Sequence, residues 1–251
     1  MQPIFAPYCG QPPVPGAVTW NFDPVLIGVL LFWLASYMAT HSVRSGSGAA
    51  FGAGWSICAA TLVSPLCSLS VALFSARVSQ HMILTLVAAP LIAFGYWGLG
   101  EGRQSWRGAT LATIGFATVL WFWHAPRSYD ATFTSDAAYW AMHVSLLASA
   151  TFLWRALLNR NYLGAALLAS FATGAQMCAL GALLVLAPRS LYWVHALSTG
   201  PWDLSPLADQ QLGGLIMWVP GGVVLTCHAL WVLTSWIEPG RAPRPMRILA
   251  Q

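Results

Sequence analysis

Six histidines lie in a chain of 251 residues that has no lysine, and three of them, His81, His124 and His143, stand near the ends of long uncharged stretches. Counted at about 1.5 Å per helical residue, His81 falls in the first turn of one stretch, His124 in the last turn of the next, and His143 about two turns into the one after. All three approach the same side. Met142 precedes His143, and Asp209, Gly213, Met217 and Gly221 recur at every fourth position. That spacing puts them on one helix face, with Met217 about level with His143. Imidazole, thioether and thiol are the ligand types that hold copper, Cu(I) favouring sulfur. The candidate metal ligands are therefore His81, His124, His143, Met217 and Met142, with Asp209 on the same helix face as Met217. Ionisable groups inside apolar helices are rare and mark function, so a metal, a haem or a proton is the expected cargo; a bond to a neighbouring helix is the competing use of each imidazole. His41 and His195, at expected interfaces, and His228, below Met217, are read as packing residues. The missing lysine excludes a retinal Schiff base. The chain also lacks His-Glu-x-x-His, Gly-x-Ser-x-Gly and a Walker loop, which leaves no hydrolytic signature.

The elements that must position these groups are membrane helices. The chain is 57% hydrophobic and 7% charged, against roughly a quarter charged in soluble domains. Seven intervals free of Asp, Glu, Lys and Arg fall between Asp23, Arg44, Arg77 and Glu101, then between Arg107 and Arg127, Asp136 and Arg155, Arg160 and Arg189, and Asp209 and Glu238. About 20 apolar residues in a helix cross a bilayer, and none of these runs alternates as a barrel strand does. The expected fold is all-α: a polytopic membrane protein, a seven-transmembrane-helix bundle with helices at about 24–40, 49–73, 79–98, 109–125, 137–158, 163–187 and 210–237. Pro65 is expected to kink the second. Before the bundle lies a Pro- and Gly-rich leader, 1–23, without the basic start of a cleavable signal; after it comes a basic tail, 238–251.

Arginines set the orientation, because cytoplasmic segments collect positive charge. With the N-terminus outside and the C-terminus cytoplasmic, eight arginines (Arg44, Arg103, Arg107, Arg155, Arg160, Arg241, Arg244 and Arg247) lie inside and Arg77, Arg127 and Arg189 outside. The three histidines then approach the outer face. The formal charge of +4 is a topology signal, and no nucleic-acid partner is expected. Four of five cysteines, Cys58, Cys67, Cys178 and Cys227, fall in spans as small core hydrophobes. Cys9 stands in the leader with no obvious partner, so no disulfide framework is expected.

Three blocks carry a family resemblance: Ser79-Gln80-His81-Met82 followed by Val87-Ala88-Ala89-Pro90-Leu91; Trp123-His124-Ala125-Pro126 with Tyr129-Asp130; and Asp209-Gln210-Gln211-Leu212-Gly213-Gly214-Leu215-Ile216-Met217-Trp218. Together they resemble the CtaG-like cytochrome c oxidase assembly factor family. The resemblance implies a multi-pass protein of the bacterial inner (plasma) membrane, an assembly factor and not an enzyme. It would support copper delivery to the catalytic subunit of a haem-copper cytochrome c oxidase from the periplasmic side. Copper would be a transient cargo, and periplasmic copper chaperones and membrane lipids the other partners. A metal-free scaffold for oxidase subunits and a haem-binding redox protein are the alternative functions. Carried over residue by residue, the polar positions are Gln80, His81, His124, His143, Asp209 and Met217. Arg77 stands where many relatives carry histidine, and Tyr139 and Met142 depart from a His-x-x-Glu-His run ending at His143.

Overall fold

The computed structural model describes residues 7–41, 46–99 and 105–237. Every regular element among them is helical. The basic tail from 238, and with it Arg241, Arg244 and Arg247, lies outside the described residues, as do Arg44 and Arg103.

Asp23 opens α1 (Pro24–Thr40) by accepting the Val25 N–H, with proline at the first helical position, where its missing donor costs nothing. α2 (Gly46–Val63) does not continue through Pro65 as a kinked helix. It stops, and α3 (Leu66–Ala72) follows as a separate short piece. Leu73 then adopts an extended backbone, and α4 (Phe74–Met82) begins. This start precedes the expected one at Ser79, so Arg77 is no loop residue: it is fully buried within the helix.

Beyond α4 the rod widens into a π-helical stretch, Ile83–Ala88, and returns to α geometry in α5 (Ala89–Trp97). Pro90 explains the change. Its ring would strike the Leu86 carbonyl in a regular α-helix and it has no N–H to give; the Ala89 N–H instead bonds five residues back, to Leu84. The loosened turn frees the Thr85 carbonyl, which accepts the Trp154 indole N–H at 2.8 Å.

α6 (Trp106–His124) ends at Ala125 before Pro126, and the short α7 (Pro126–Ala131) turns the chain toward α8 (Asp136–Leu157). α9 (Leu163–Leu186) and α10 (Pro206–Ile237) form the most extensive helix pair. Glycines let them close up: a Cβ on Gly181 would lie 2.9 Å from the Gly214 carbonyl, and one on Gly214 would lie 2.9 Å from that of Gly181. The face predicted for α10 is likewise a contact face, with Gly213 against Phe74 and Gly221 against Met177 and Met82.

By length and composition, four helical stretches among the described residues suffice to cross a membrane: Gly46–Val63, Phe74–Trp97, Arg160–Leu186 and Pro206–Ser235. Pro24–Thr40 is a shorter apolar helix. Large side chains such as Phe32, Leu111, Phe171 and Leu186 point outward, as lipid-facing residues do.

The leader is not a loose appendage from Pro7 onward. Asn21 N–H bonds the Val63 carbonyl at 2.8 Å, Thr19 N–H bonds Ser68 Oγ, and the Trp202 indole donates to the Pro13 carbonyl. Cys9, expected to be unpaired, forms a disulfide with Cys67. The leader therefore lies across the end of the bundle where α2 ends and α4 begins.

Candidate metal centre

Three helices bring His81, His124 and His143 together. The His81 ring centroid is 5.4 Å from that of His143 and 6.1 Å from that of His124. All three are buried. An ion about 2 Å from each nitrogen holds two imidazole centroids roughly 5–5.5 Å apart, so one pair meets that spacing and the other is slightly wider.

The tautomers follow from the partners. His124 Nδ1 lies 2.7 Å from the Leu120 carbonyl and His143 Nδ1 lies 3.0 Å from the Tyr139 carbonyl. A carbonyl only accepts, so both Nδ1 atoms carry the proton and both Nε2 atoms keep a lone pair. The Gln80 amide N–H donates to the Thr61 carbonyl, which turns its oxygen toward His143 Nε2 at 3.4 Å. Two acceptors then face one another. His81, between the other two rings, has no hydrogen-bond partner on either nitrogen although both are buried. Buried polar atoms without partners are uncommon and call for a reason. Among the described residues, no group of three or more His, Cys, Asp or Glu side chains is gathered closely enough to hold a metal as it stands.

Asp209 belongs to a different task. Its carboxylate accepts the backbone N–H groups of Phe74 and Ser75, at 2.6 and 3.1 Å, and the Ser75 hydroxyl. It is the cap of α4, supplied by α10, and so fixes the helix that carries His81. Gln210 accepts from Leu191 N–H at 2.6 Å and donates to the Leu184 carbonyl, while Gln211 donates to the Val185 carbonyl. The Asp-Gln-Gln run thus closes the start of α4 and the end of α9 together. Met142 and Met217 are buried in the main core cluster. His228 bonds Ser170 Oγ at 2.9 Å and packs edge-on to Trp154.

Two features escape a reading of the sequence. Arg77, one turn before His81, bonds the Ser70 carbonyl and Thr132 Oγ1 and lies 4.0 Å from the Phe133 ring centroid and 5.8 Å from that of Tyr139. Its Nη2 is buried without a partner, and neither bond reaches a carboxylate. His195 is buried too, bonded to the Tyr129 hydroxyl at 2.7 Å and the Ala72 carbonyl at 3.2 Å. Burial, with Arg77 nearby, holds its pKa down to about 3, and burial pushes the Tyr129 phenol well up. The nearest signal for His195 was its place among aromatics in the Arg189–Asp209 segment.

An all-helical bundle with long apolar helices and large apolar side chains turned outward defines a membrane protein. Residues 26–238 match the cytochrome c oxidase caa3 assembly factor family, and the chain belongs to it. No curated protein and no solved structure matches the chain. Arg77, Tyr139 and Met142 are all buried, and Arg77 faces Tyr139.

Proposed function

We propose that this assembly factor carries copper in passage at His81, His124 and His143 and hands it to the catalytic subunit of a haem-copper oxidase from the outer side of a bacterial inner membrane. One observation carries the reading. Two imidazoles have Nδ1 tied to a carbonyl of their own helix, which leaves Nε2 free, and a third between them has no partner at all. Metal-ligating histidines are held this way, the second ring nitrogen donating to a carbonyl or carboxylate. The wider His81–His124 spacing suits an ion that must leave. Met142 and Met217 are available as softer ligands if the helices shift; Asp209 is engaged elsewhere.

The topology is part of the same reading. Long helices at 24–40, 46–63, 74–97, 106–124, 136–157, 163–186 and 206–237 are taken as seven passes, which places the two ends on opposite sides. The Cys9–Cys67 disulfide supports an outer leader, since disulfides persist in oxidising compartments.

A metal-free scaffold is favoured by one observation, the purely structural use of Asp209, Gln210 and Gln211. Copper binding decides between the two. Detergent-purified protein titrated anaerobically with Cu(I) against a chromophoric chelator is expected to take one ion, lost when His81, His124 and His143 are all changed to alanine. No copper in either protein overturns the copper reading and leaves the scaffold; equal copper in both overturns the imidazole site. Oxidase assembly with His81→Ala alone then tests whether the site is used.

A further inference from the structure

We propose that Cys9 and Cys67 form a second, redox-controlled copper site on the leader side of the imidazole group. As a dithiol the pair takes Cu(I) between two thiolates; as the disulfide it closes the leader over the bundle. The proposal rests on the reading that copper is the cargo.

Placement is the first support. The Tyr139 hydroxyl lies 3.3 Å from Cys9 Sγ and 3.6 Å from Cys67 Sγ, while the ring of the same residue lies 4.2 Å from that of His143. One phenol separates the sulfurs from the imidazoles. Tyr8, next to Cys9, stacks on that phenol at 4.8 Å and bonds Asp23. Freed from Cys67, the leader keeps the Thr19, Asn21 and Trp202 hydrogen bonds, all beyond Gly10 in the chain, so the stretch around Cys9 is held by the Tyr8 contacts and lifts when they open, while the rest stays docked.

Charge is the second. Two thiolates with one Cu(I) carry a net charge of −1. Arg77 is fully buried, has an unpartnered Nη2 and faces the Tyr139 ring from 5.8 Å. A buried cation without a counterion is costly, and an anionic bis-thiolate complex beside Tyr139 supplies one. The same guanidinium opposes a cation among the imidazoles, so copper held first at sulfur sits where its complex is neutralised. Thiolates are also the softer ligands, which Cu(I) prefers.

The chemistry balances. An external dithiol reduces the Cys9–Cys67 bond by exchange: two electrons and two protons pass to the pair, and the donor becomes a disulfide. Cu(I) then displaces the two thiol protons with no change in its oxidation state. When the ion moves on, the thiolates regain two protons, and exchange with a partner disulfide restores the cross-link.

The test uses full-length protein in detergent with Cys58, Cys178 and Cys227 changed to serine, so that only the pair remains. Copper is measured anaerobically with and without prior reduction by a phosphine that is then removed. Reduced protein is expected to bind one more Cu(I) per chain than oxidised protein. That increment should vanish in Cys67→Ser and in Cys9→Ser and persist in His81→Ala/His124→Ala/His143→Ala. Cys9→Ser removes the cross-link from the leader side and leaves the buried Cys67 in place, so it carries the test if Cys67→Ser fails to fold. Equal copper before and after reduction overturns the proposal. A thiol-dependent ion without a histidine-dependent one overturns the imidazole site alone; the converse overturns the thiol site alone. Bound Cu(I) should also shield both thiols from maleimide labelling, and full labelling of the copper-loaded protein counts against it.

Discussion

Removing the Asp209 carboxylate should loosen α4, and the loss can be worked from the structure. Asp209→Ala deletes hydrogen bonds from the Phe74 and Ser75 N–H groups and from the Ser75 hydroxyl. Phe74 is buried to 1% exposure and Ser75 to 5%, so water replaces little of what is lost. A helix cap is worth about 1 kcal/mol, and an orphaned buried donor costs about 1–3 kcal/mol. Since the bonds share one carboxylate they do not add fully, and about 3 kcal/mol is expected. At about 2–4 °C per kcal/mol for a chain of this size, the melting temperature in detergent should fall by roughly 6–12 °C. Asp209→Asn keeps one acceptor and loses the charge that suits a helix N-terminus, so its fall should be about half as large. Neither variant should change the number of Cu(I) ions bound by folded protein. An Asp209→Ala protein that melts with the wild type but binds less copper would make Asp209 a ligand and refute the capping argument.

Four further outcomes are expected. His195 has a folded pKa of about 3 against an ordinary value of 6.5, so the unfolded chain takes up the proton first. Its stabilisation is whole above pH 6.5 and is lost as pH falls toward 3; each unit costs about 1.4 kcal/mol, or about 2 kcal/mol by pH 5. His195→Gln should flatten the melting profile over pH 5–7 by that amount, and an unchanged slope counts against the assignment. A Cβ on Gly95 would lie 2.5 Å from Phe51 Cβ and 2.9 Å from its Cα, so Gly95→Ala should force α2 and α5 apart at about 1–3 kcal/mol. Gly28→Ala, with open space around it, should be neutral or slightly stabilising in the same thermal assay. Trp154→Phe leaves the Thr85 carbonyl unpaired, and should cost about 1 kcal/mol with copper binding retained.

The helices are legible in the sequence because charge is scarce: a residue such as Arg107, Arg127 or Asp136 marks an end when almost nothing between is charged. That logic fails at Arg77. A rule that places every charged residue at a boundary puts it in a loop, whereas it is buried in α4 among Tyr129, Phe133 and Tyr139, an aromatic setting no local pattern announces. The gathering of His81, His124 and His143 is legible for a simpler reason: three positions counted from the same side lie at one level, and α8 packs against both α5 and α6. The Nδ1 partners of His124 and His143 are legible only in part. Each is the carbonyl four residues back, as the helix repeat allows, but nothing local says which ring nitrogen turns to it.

The Asp-Gln-Gln run shows why a recognisable motif need not be a ligand set. Read alone, a carboxylate opening an apolar helix beside imidazoles resembles a metal donor, and its use as a cap for another helix depends on a contact 135 residues away in sequence. The Cys9–Cys67 bond, 58 residues apart, is hidden in the same way, since a cysteine in an apolar stretch reads as a small core residue until the leader is seen folded over it. Both cases have one physical source. In a chain with so few polar groups, residues such as Asp209 and Gln210 close helix ends or join two segments, and the partner is set by tertiary packing. The imidazole group stands apart in degree: among the described residues, Arg77 Nη2, Asp130 Oδ1, Thr173 Oγ1, Thr199 Oγ1 and His228 Nε2 each lack a partner at one buried atom, whereas His81 lacks one at both ring nitrogens. On the copper reading proposed above, that ring is kept for a ligand that the chain itself does not supply.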